Sequence, residues 1–482
     1  MSISPSRLRL LTAPLLANLL LSTLTGAEPL ARQPNILFIA IDDLRPELGC
    51  YGDPQVKSPN IDKLAAQGLL FNRAYCQVPV CGASRASLMT SILPTTDRFR
   101  VARTLVDEDA PGATTLPQVF KERGYTTISY GKIFHFGTDT LARSWTKQAG
   151  SGQSHATNFD PSAKGTTTKS GRPRMYESPD VPDNAYGDGK VAEMAIAELR
   201  DLKAAGKPFF LACGFIRPHM PFYAPKKYWD LYDREKLALA DNRYRPENAP
   251  AALHGSNEFK SYDFGAYQEG TDAFHRMMRH GYYASTSYAD KLVGDVLAEL
   301  DRLGLADNTI VVIWGDHGWN LGEHDFWGKH NTLDTSIRVP LIIKVPGKTA
   351  GRKANALVGV YDIFPTLCTL ANLPIPAAVQ GRSFATLFDH PEQSFRDVVY
   401  SRYGKGDAVV SDHLVYTSYG DEGNMLFDLT TDPKENHNIA AMPKYQNDLA
   451  KMKAALAANQ QLAAAAQVPR PLPRSGITAK ED

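Results

Sequence analysis

Cysteine is scarce: the 482 residues hold five, Cys50, Cys76, Cys81, Cys213 and Cys368. So few, spread so widely, exclude a disulfide framework. Excess charge of either sign is also missing, with 53 Lys plus Arg against 52 Asp plus Glu, so no overall field recruits nucleic acid or an anionic membrane. An anionic ligand must be caught locally. There is no internal repeat, and nothing points to a solenoid or a propeller.

What is there is an ordinary globular composition, 43% hydrophobic, long enough for two or three structural units. The opening "MSISPSRLRLLTAPLLANLLLSTLTGAEP" places Arg7 and Arg9 before an apolar run and ends in small residues near Ala27, the three-part pattern of a secretory signal. A membrane anchor competes with that reading, but Pro14, Asn18 and the shortness of the run weigh against it. The expectation is a signal peptide over 1–27, no stable membrane anchor, and a periplasmic or secreted mature protein. In an exported chain an odd cysteine count leaves at least one thiol unpaired or chemically committed. Cys213 in "PFFLACGF" and Cys368 in the amphipathic "YDIFPTLCTLANL" read as core, which directs attention to Cys81.

After the signal, short β-branched apolar runs alternate with helical patterns. "NILFIAIDD" reads as a buried strand ending in two acids, and "SPNIDKLAAQG" as a capped helix stopped at Gly68. A helix followed by a strand recurs in "TTLPQVFKERGYTTISYGKIFH", in "AYGDGKVAEMAIAELRDLKAAGKPFFLACGF" and in "YYASTSYADKLVGDVLAELDRLGLADNTIVVIWGDHG". That alternation predicts an α/β fold whose large, mostly parallel sheet is sandwiched by helices. Ligands of such sheets gather outside the carboxyl ends of the strands. Residues 138–185 and 230–275 lack periodicity and are rich in Pro, Gly, Ser and charge, the texture of long functional loops. From about residue 375 the strand-like runs "RDVVYSRY", "DAVVSDHLVYTSY" and "NMLFDL" precede an alanine-rich helix near 442–466. The expected organisation is a main domain over 28–374, a smaller C-terminal α+β subdomain with an antiparallel sheet over 375–466, and a disordered tail over 467–482.

Adjacent acids at a strand end, Asp42 and Asp43, repel each other, and a bound divalent cation is the simplest compensation. A solvated loop in which one acid caps the next segment is the plainer alternative. "WGDHGWNLGEHDFWGKHN" brings Asp316 and His317 to a second strand end, with Glu323, His324, Asp325, Lys329 and His330 close behind. Together the two ends predict a metal site with oxygen and nitrogen ligands, and Gly315 and Gly318 allow tight turns there. "YGKIFH" and "GFIRPHMPF" follow other strands and add Lys132, His135, Arg217 and His219. Each taken alone reads as surface. With Arg85 and Lys329 they form a cationic crevice suited to a tetrahedral oxyanion, phosphate or sulfate.

In "YCQVPVCGASRASLMTSILPTT", "GASRA" approaches the G-x-S-x-G nucleophile elbow, but Ala86 replaces the last glycine and "QVPV" is a poor preceding strand. A Ser84 triad is therefore disfavoured. Cys81 reads either as a thiol nucleophile at a helix N-terminus, where its pKa is lowered, or as a small buried hydrophobe.

These blocks carry a resemblance to a known family. The chain is similar to the sulfatases, within the alkaline-phosphatase-like fold, over about residues 34–440. "CGASR" matches the family motif C/S-x-P/A-x-R, whose cysteine becomes Cα-formylglycine, while "NILFIAIDDLRPELGCYG", "GKIFH", "RPHMPF", "GDHGWNLGEHDFWGKHN" and "FDLTTDPKENHNIA" most resemble the iduronate 2-sulfatase branch. The resemblance implies Ca²⁺ held by Asp42, Asp43, Asp316, His317 and the formylglycine made from Cys81. A formylglycine-generating or anaerobic sulfatase-maturating enzyme is the implied partner. One hydroxyl of the hydrated aldehyde, activated by the metal and Arg85, would attack sulfur, and His135 would take the proton of the other so that sulfate is eliminated. The resemblance further implies that Lys132 stabilises the hydrate and that Lys329 and His219 grip the sulfate, His219 protonating the leaving oxygen. Lys132, His219 and Lys329 are thus the implied substrate-binding residues. Two departures stand out: Ala83 occupies a position more often held by proline, and "MTSILPTT" replaces the usual glycine and arginine beyond the motif.

The expected function is hydrolysis of a sulfate ester, a 2-O-sulfate on a uronic acid of a glycosaminoglycan or algal polysaccharide. A phosphatase or phosphonate monoester hydrolase on the same scaffold is one alternative, and a non-catalytic binding protein for sulfated glycans is another. The latter is disfavoured because anion binding alone needs neither a proton acceptor such as His135 nor a metal-bound nucleophile.

Overall fold

Strand Asn35–Ile41 is buried along its whole length, as a near-continuous apolar run must be when both faces of its sheet are covered. Phe209–Phe215 and Thr309–Gly315 flank it, both parallel to it and both equally buried. In the computed structural model, which describes residues 1–2, 33–148, 171–348 and 350–471, these three are the centre of one large sheet. Its order is Arg352–Ala354, Leu69–Tyr75, Arg338–Lys344, Thr309–Gly315, Asn35–Ile41, Phe209–Phe215, Thr126–Gly131, Lys147–Gln148, with Val358–Gly359 added beside Leu69–Tyr75. Among the described strands of this sheet, Arg338–Lys344 alone runs against the rest. Nearly all of the expected signal peptide, part of the 138–185 loop and most of the expected tail lie outside the described residues.

Side chains alternate between two apolar layers. Phe38 stacks on Phe210 and packs tilted against Trp314, at centroid distances of 6.1 and 6.0 Å, in the layer shared with helices Cys81–Thr90, Leu116–Glu122 and Ile363–Leu370. Leu37, Ile39 and Ile41 face the other way, into the layer of helices Gly187–Ala205 and Asp272–Arg302. The helix-sandwiched, mostly parallel sheet is therefore as expected. Cys213 and Cys368 sit fully inside these layers, and all five cysteines are unpaired.

The C-terminal part is a four-stranded antiparallel sheet, Val399–Tyr403, Gly406–Val410, Leu414–Ser418 and Asn424–Asp428. Helix Gln446–Ala464 covers it, packing Leu449, Met452 and Leu456 with Tyr400, Val409 and Tyr416. This too matches the expected small α+β unit. No helix among the described residues is long and apolar enough to cross a membrane.

Register fixes where the chemistry can be. Ile41 lies opposite both Phe215 and Gly315, and Gly131 lies opposite Gly214. Four chain segments thus leave the sheet side by side, carrying Asp42 and Asp43, Lys132 to His135, Ile216 to His219, and Asp316 with His317. Glycine is required at 131: its φ is +72°, and a Cβ there would meet the Gly214 carbonyl oxygen at 2.1 Å.

Candidate active site

Asp42 and Asp43 are both fully buried, and two neighbouring carboxylates out of water demand positive partners. Asp42 Oδ1 accepts from Arg85 Nη2 at 3.2 Å and Oδ2 from Lys132 Nζ at 2.5 Å. Asp43 Oδ1 accepts from Lys329 Nζ at 2.9 Å. Burial pushes the Asp42 carboxyl up, but Lys132, His219 and Arg85 outweigh it and hold the group well below the usual carboxylate range. For Asp43 burial wins, and the carboxyl stays raised despite His219 and Lys329. Asp43 also has a left-handed backbone, φ +59°, a conformation that persists only where its surroundings hold it. Its N–H donates to Asp316 Oδ1 at 3.0 Å, and its carbonyl accepts from the Tyr282 hydroxyl at 2.7 Å.

Cys81 opens a helix, Cys81–Thr90, whose ten residues are all buried. Its Sγ lies 3.3 Å from His317 Nε2. Gly82 follows because a Cβ there would meet the Ala102 carbonyl oxygen at 1.9 Å. Ser84 donates its hydroxyl to the Asp316 carbonyl, so it anchors the helix and is no nucleophile. Arg85 Nε donates to Asp316 Oδ2 at 2.9 Å, and Nη1 to the carbonyls of Lys132 and, at 3.2 Å, Ile133. One arginine therefore ties the helix to three strand ends. Burial and then Asp42 push the Cys81 thiol up, outweighing the helix N-terminus that would favour a thiolate. The unmodified side chain is a neutral thiol.

Asp42, Asp43, Cys81 and His317 each offer one ligand atom, and the four atoms lie within 4.8 Å of one another. Asp43 Oδ2 is buried with no hydrogen-bond partner. Two hard carboxylates and an imidazole around an unsatisfied oxygen fit a divalent cation. Asp316 stands beside this group: its Oδ1, 3.6 Å from His317 Nε2, accepts the N–H of Asp43 and of His317, and its Oδ2 is taken by Arg85.

The outer wall holds two imidazoles in opposite states. His135 Nδ1 is buried without a partner, and burial, then Lys132, lowers the ring's pKa to about 3. His219 is also buried, but Asp43 and Glu258 overcome that penalty and raise it to about 10. Its Nδ1 lies 2.5 Å from the Met220 carbonyl oxygen, and its Nε2 lies 3.1 Å from Glu258 Oε1 and 3.8 Å from Asp43 Oδ2. Lys329 reaches Glu258 Oε2 at 3.0 Å and rides 5.0 Å from the Trp319 ring centroid.

Contacts thus link Asp42, Asp43, Cys81, Arg85, Lys132, His219, Asp316, His317 and Lys329 into one cluster. Other expected residues serve the frame. Arg217 donates to the carbonyls of Tyr223 and His219, at 3.1 and 2.9 Å, which braces the loop that carries His219. Glu323 pairs with Arg45 and Arg279, His324 contacts the carbonyls of Tyr244 and Lys434, and His330 stacks flat on Tyr403 at 5.0 Å. Sequence reasoning missed Glu258 and Tyr282: the glutamate lies in an aperiodic loop, and nothing in the sequence sets the tyrosine apart from the other core tyrosines of its helix.

A helix-sandwiched sheet with buried acids, a helix-opening cysteine and converging cations at its carboxyl ends is the alkaline-phosphatase-like arrangement of ester hydrolases. The chain belongs to the sulfatase family: residues 34–373 match the model "Sulfatase", and residues 322–462 match "N-sulphoglucosamine sulphohydrolase, C-terminal". It is 37% identical over 390 residues to iduronate 2-sulfatase of Mus musculus and 36% identical over 402 residues to that of Homo sapiens, each match covering 73% of this chain and 71% of the relative. A solved structure of a 2-O GAG sulfatase superposes with a TM-score of 0.70 at 25% identity, over 91% of this chain and 95% of that one. The protein is a sulfuric ester hydrolase. Sulfatases in general work with a formylglycine and a divalent metal, and the cluster around Asp43 is able to hold one.

Proposed function

We propose that this enzyme removes the 2-O-sulfate from a uronic acid residue of a glycosaminoglycan or other sulfated polysaccharide, using Ca²⁺ and a formylglycine made from Cys81. The observation that carries the reading is the convergence of Asp42, Asp43, Cys81 and His317 inside a ring of Arg85, Lys132, His219 and Lys329. The choice of sugar is supported by the relatives, iduronate 2-sulfatases and a 2-O GAG sulfatase. Asp42, Asp43, Asp316, His317 and the residue at 81 would hold the Ca²⁺, and the two groups supply a Lewis acid and an activated oxygen nucleophile for attack on sulfur.

The remaining work falls to the chain's own side chains. Arg85 orients Asp42 and Asp316 together, and Lys132 places a positive charge beside position 81. Lys329 and His219 offer N–H donors to the sulfate oxygens. Both ring nitrogens of His219 face acceptors, the Met220 carbonyl and Glu258, so both carry protons, and the one on Nε2 would be shared between Glu258 and the leaving oxygen. His135 is its opposite: a neutral ring whose unpartnered Nδ1 would accept the proton of the hydroxyl that does not attack sulfur. The apolar N-terminal run supports export to the periplasm or medium, and the oxidation of Cys81 would fall to a formylglycine-generating or anaerobic sulfatase-maturating enzyme. We assign residues 28–374 to the catalytic domain and 375–466 to the C-terminal subdomain.

Two measurements on protein from a maturation-competent host test this. The Cys81 peptide should lose about 18 Da relative to cysteine, a change that thiolate chemistry does not need. Sulfate should be released from a 2-O-sulfated uronide in preference to a 6-O-sulfated glucosamine. An intact cysteine in an active enzyme sinks the nucleophile, and the reverse preference sinks the sugar.

A further inference from the structure

Glu258 lies on a single 3-10 turn, Glu258–Ser261, in the aperiodic stretch before helix Asp272–Arg302. The turn is fixed on several sides. Its first N–H donates to Ser256 Oγ at 3.1 Å, and Phe259 packs with Phe264 and Phe274 at centroid distances of 6.0 and 6.4 Å. The preceding residues press against the segment that leads to Lys329. A Cβ at Gly328 would meet Ser256 Cβ at 2.9 Å, and one at Gly255 would meet the Phe326 ring at 2.7 Å. From this seat the carboxylate reaches into the site, with Oε1 3.1 Å from His219 Nε2 and Oε2 3.0 Å from Lys329 Nζ.

That bridge has a geometric consequence. The Met220 carbonyl holds the His219 ring at Nδ1, and Glu258 holds it at Nε2. A second acceptor on the opposite nitrogen fixes its plane, as partners of reacting histidines do elsewhere. Lys329 ends in an ammonium shared between two carboxylates, Asp43 Oδ1 at 2.9 Å and Glu258 Oε2 at 3.0 Å. Two partners hold that charge at one place where a single one would let the flexible chain swing. One oxygen per cation also sets the separation of the two groups that face the ester.

We propose that Glu258 is a positioning residue of the reaction, whose carboxylate bridges His219 and Lys329 and fixes both toward the sulfate ester. The inference rests on the roles given above to those two residues. Its test is a double-mutant cycle of Glu258→Gln, His219→Ala and the pair, with Glu258→Asp as the conservative variant. Each is assayed on whichever the wild type turns over faster, a 2-O-sulfated uronide disaccharide or 4-nitrophenyl sulfate, with melting temperature as the folding control. Glu258→Gln should lower kcat about 10- to 100-fold, with KM changed less than about threefold. Glu258→Asp should recover part of that loss. In the His219→Ala background Glu258→Gln should lower kcat far less than it does alone, its residual effect passing through Lys329. If the losses multiply in full, Glu258 does not act through His219, and if Glu258→Gln leaves kcat intact while His219→Ala is impaired, it positions neither group; in either case the proposal falls alone. A rise in kcat in Glu258→Gln would make the carboxylate a competitor of sulfate and overturn it as well. If His219→Ala keeps wild-type kcat, the role of His219 itself is wrong and both readings fall.

Discussion

The hydroxyl of Tyr282, on the long helix Asp272–Arg302, donates to the Asp43 carbonyl at 2.7 Å and accepts the N–H of Arg45 at 3.0 Å. It brackets the one aspartate of the cluster whose backbone is left-handed. Tyr282→Phe leaves a carbonyl and an N–H without their partner, at a cost of about 1–3 kcal/mol in stability. Because Asp43 is then less firmly held, the Ca²⁺ concentration for half-maximal activity should rise about 10-fold or more. A calcium titration of the variant checks this, and an unmoved midpoint would show that the hydroxyl does not set Asp43.

Chelation should silence the enzyme and soften it. Asp43 Oδ2 makes no hydrogen bond and its carboxyl is raised by burial, so a cation bound there would relieve the folded state. Ca²⁺ at about 100 times its dissociation constant should add about 2.7 kcal/mol, visible as a rise in melting temperature that Asp43→Asn abolishes. Full activity after exhaustive EGTA treatment would rule the metal out.

Gly82→Ser should fold poorly. Its Cβ would enter the Ala102 backbone, which cannot swing aside as a side chain could, and overpacking of this kind costs about 1–3 kcal/mol or more. A purified variant with the wild-type melting temperature would mean that the Ala102 segment moves freely.

Asp290 gives a pH signature far from the crevice. From helix Asp272–Arg302 it caps helix Pro59–Ala65, accepting the N–H groups of Asn60 and Ile61 at 3.0 and 2.8 Å in place of Ser58, whose side chain makes no cap. Burial raises its carboxyl to about 6, from 3.8. The folded protein therefore holds this proton where the unfolded chain has lost it, and stability falls as pH climbs from about 4 to about 6. Asp290→Asn should remove that slope, worth up to about 3 kcal/mol. Urea unfolding of both proteins at pH 4.5 and pH 7.5 decides it, since parallel changes would leave Asp290 with no titration to lose.

Much of the crevice was legible because its residues follow apolar strands directly. Asp42, Asp43, Lys132, Asp316 and His317 are all found by asking what stands at the end of a buried run. Two of the seven-residue strands of the sheet escape that method. Leu69–Tyr75 carries Asn72 and Arg73 in its second half, and Arg338–Lys344 holds Pro340, at which its register shifts, the kind of interruption that demotes a run. Glu258 has no pattern at all, since its partners His219 and Lys329 lie on other segments and only folding brings them within reach.

The burial of Cys81 sets a clock. Helix Cys81–Thr90 is closed over by Asp316 and His317, and 236 residues separate Cys81 from His317. At a synthesis rate of about 5–20 residues per second, roughly 12 to 50 s pass between the emergence of the thiol and of the segment that seals it. An enzyme acting on that thiol must find it while the chain is still open, for the finished fold leaves only 3% of the residue in contact with water.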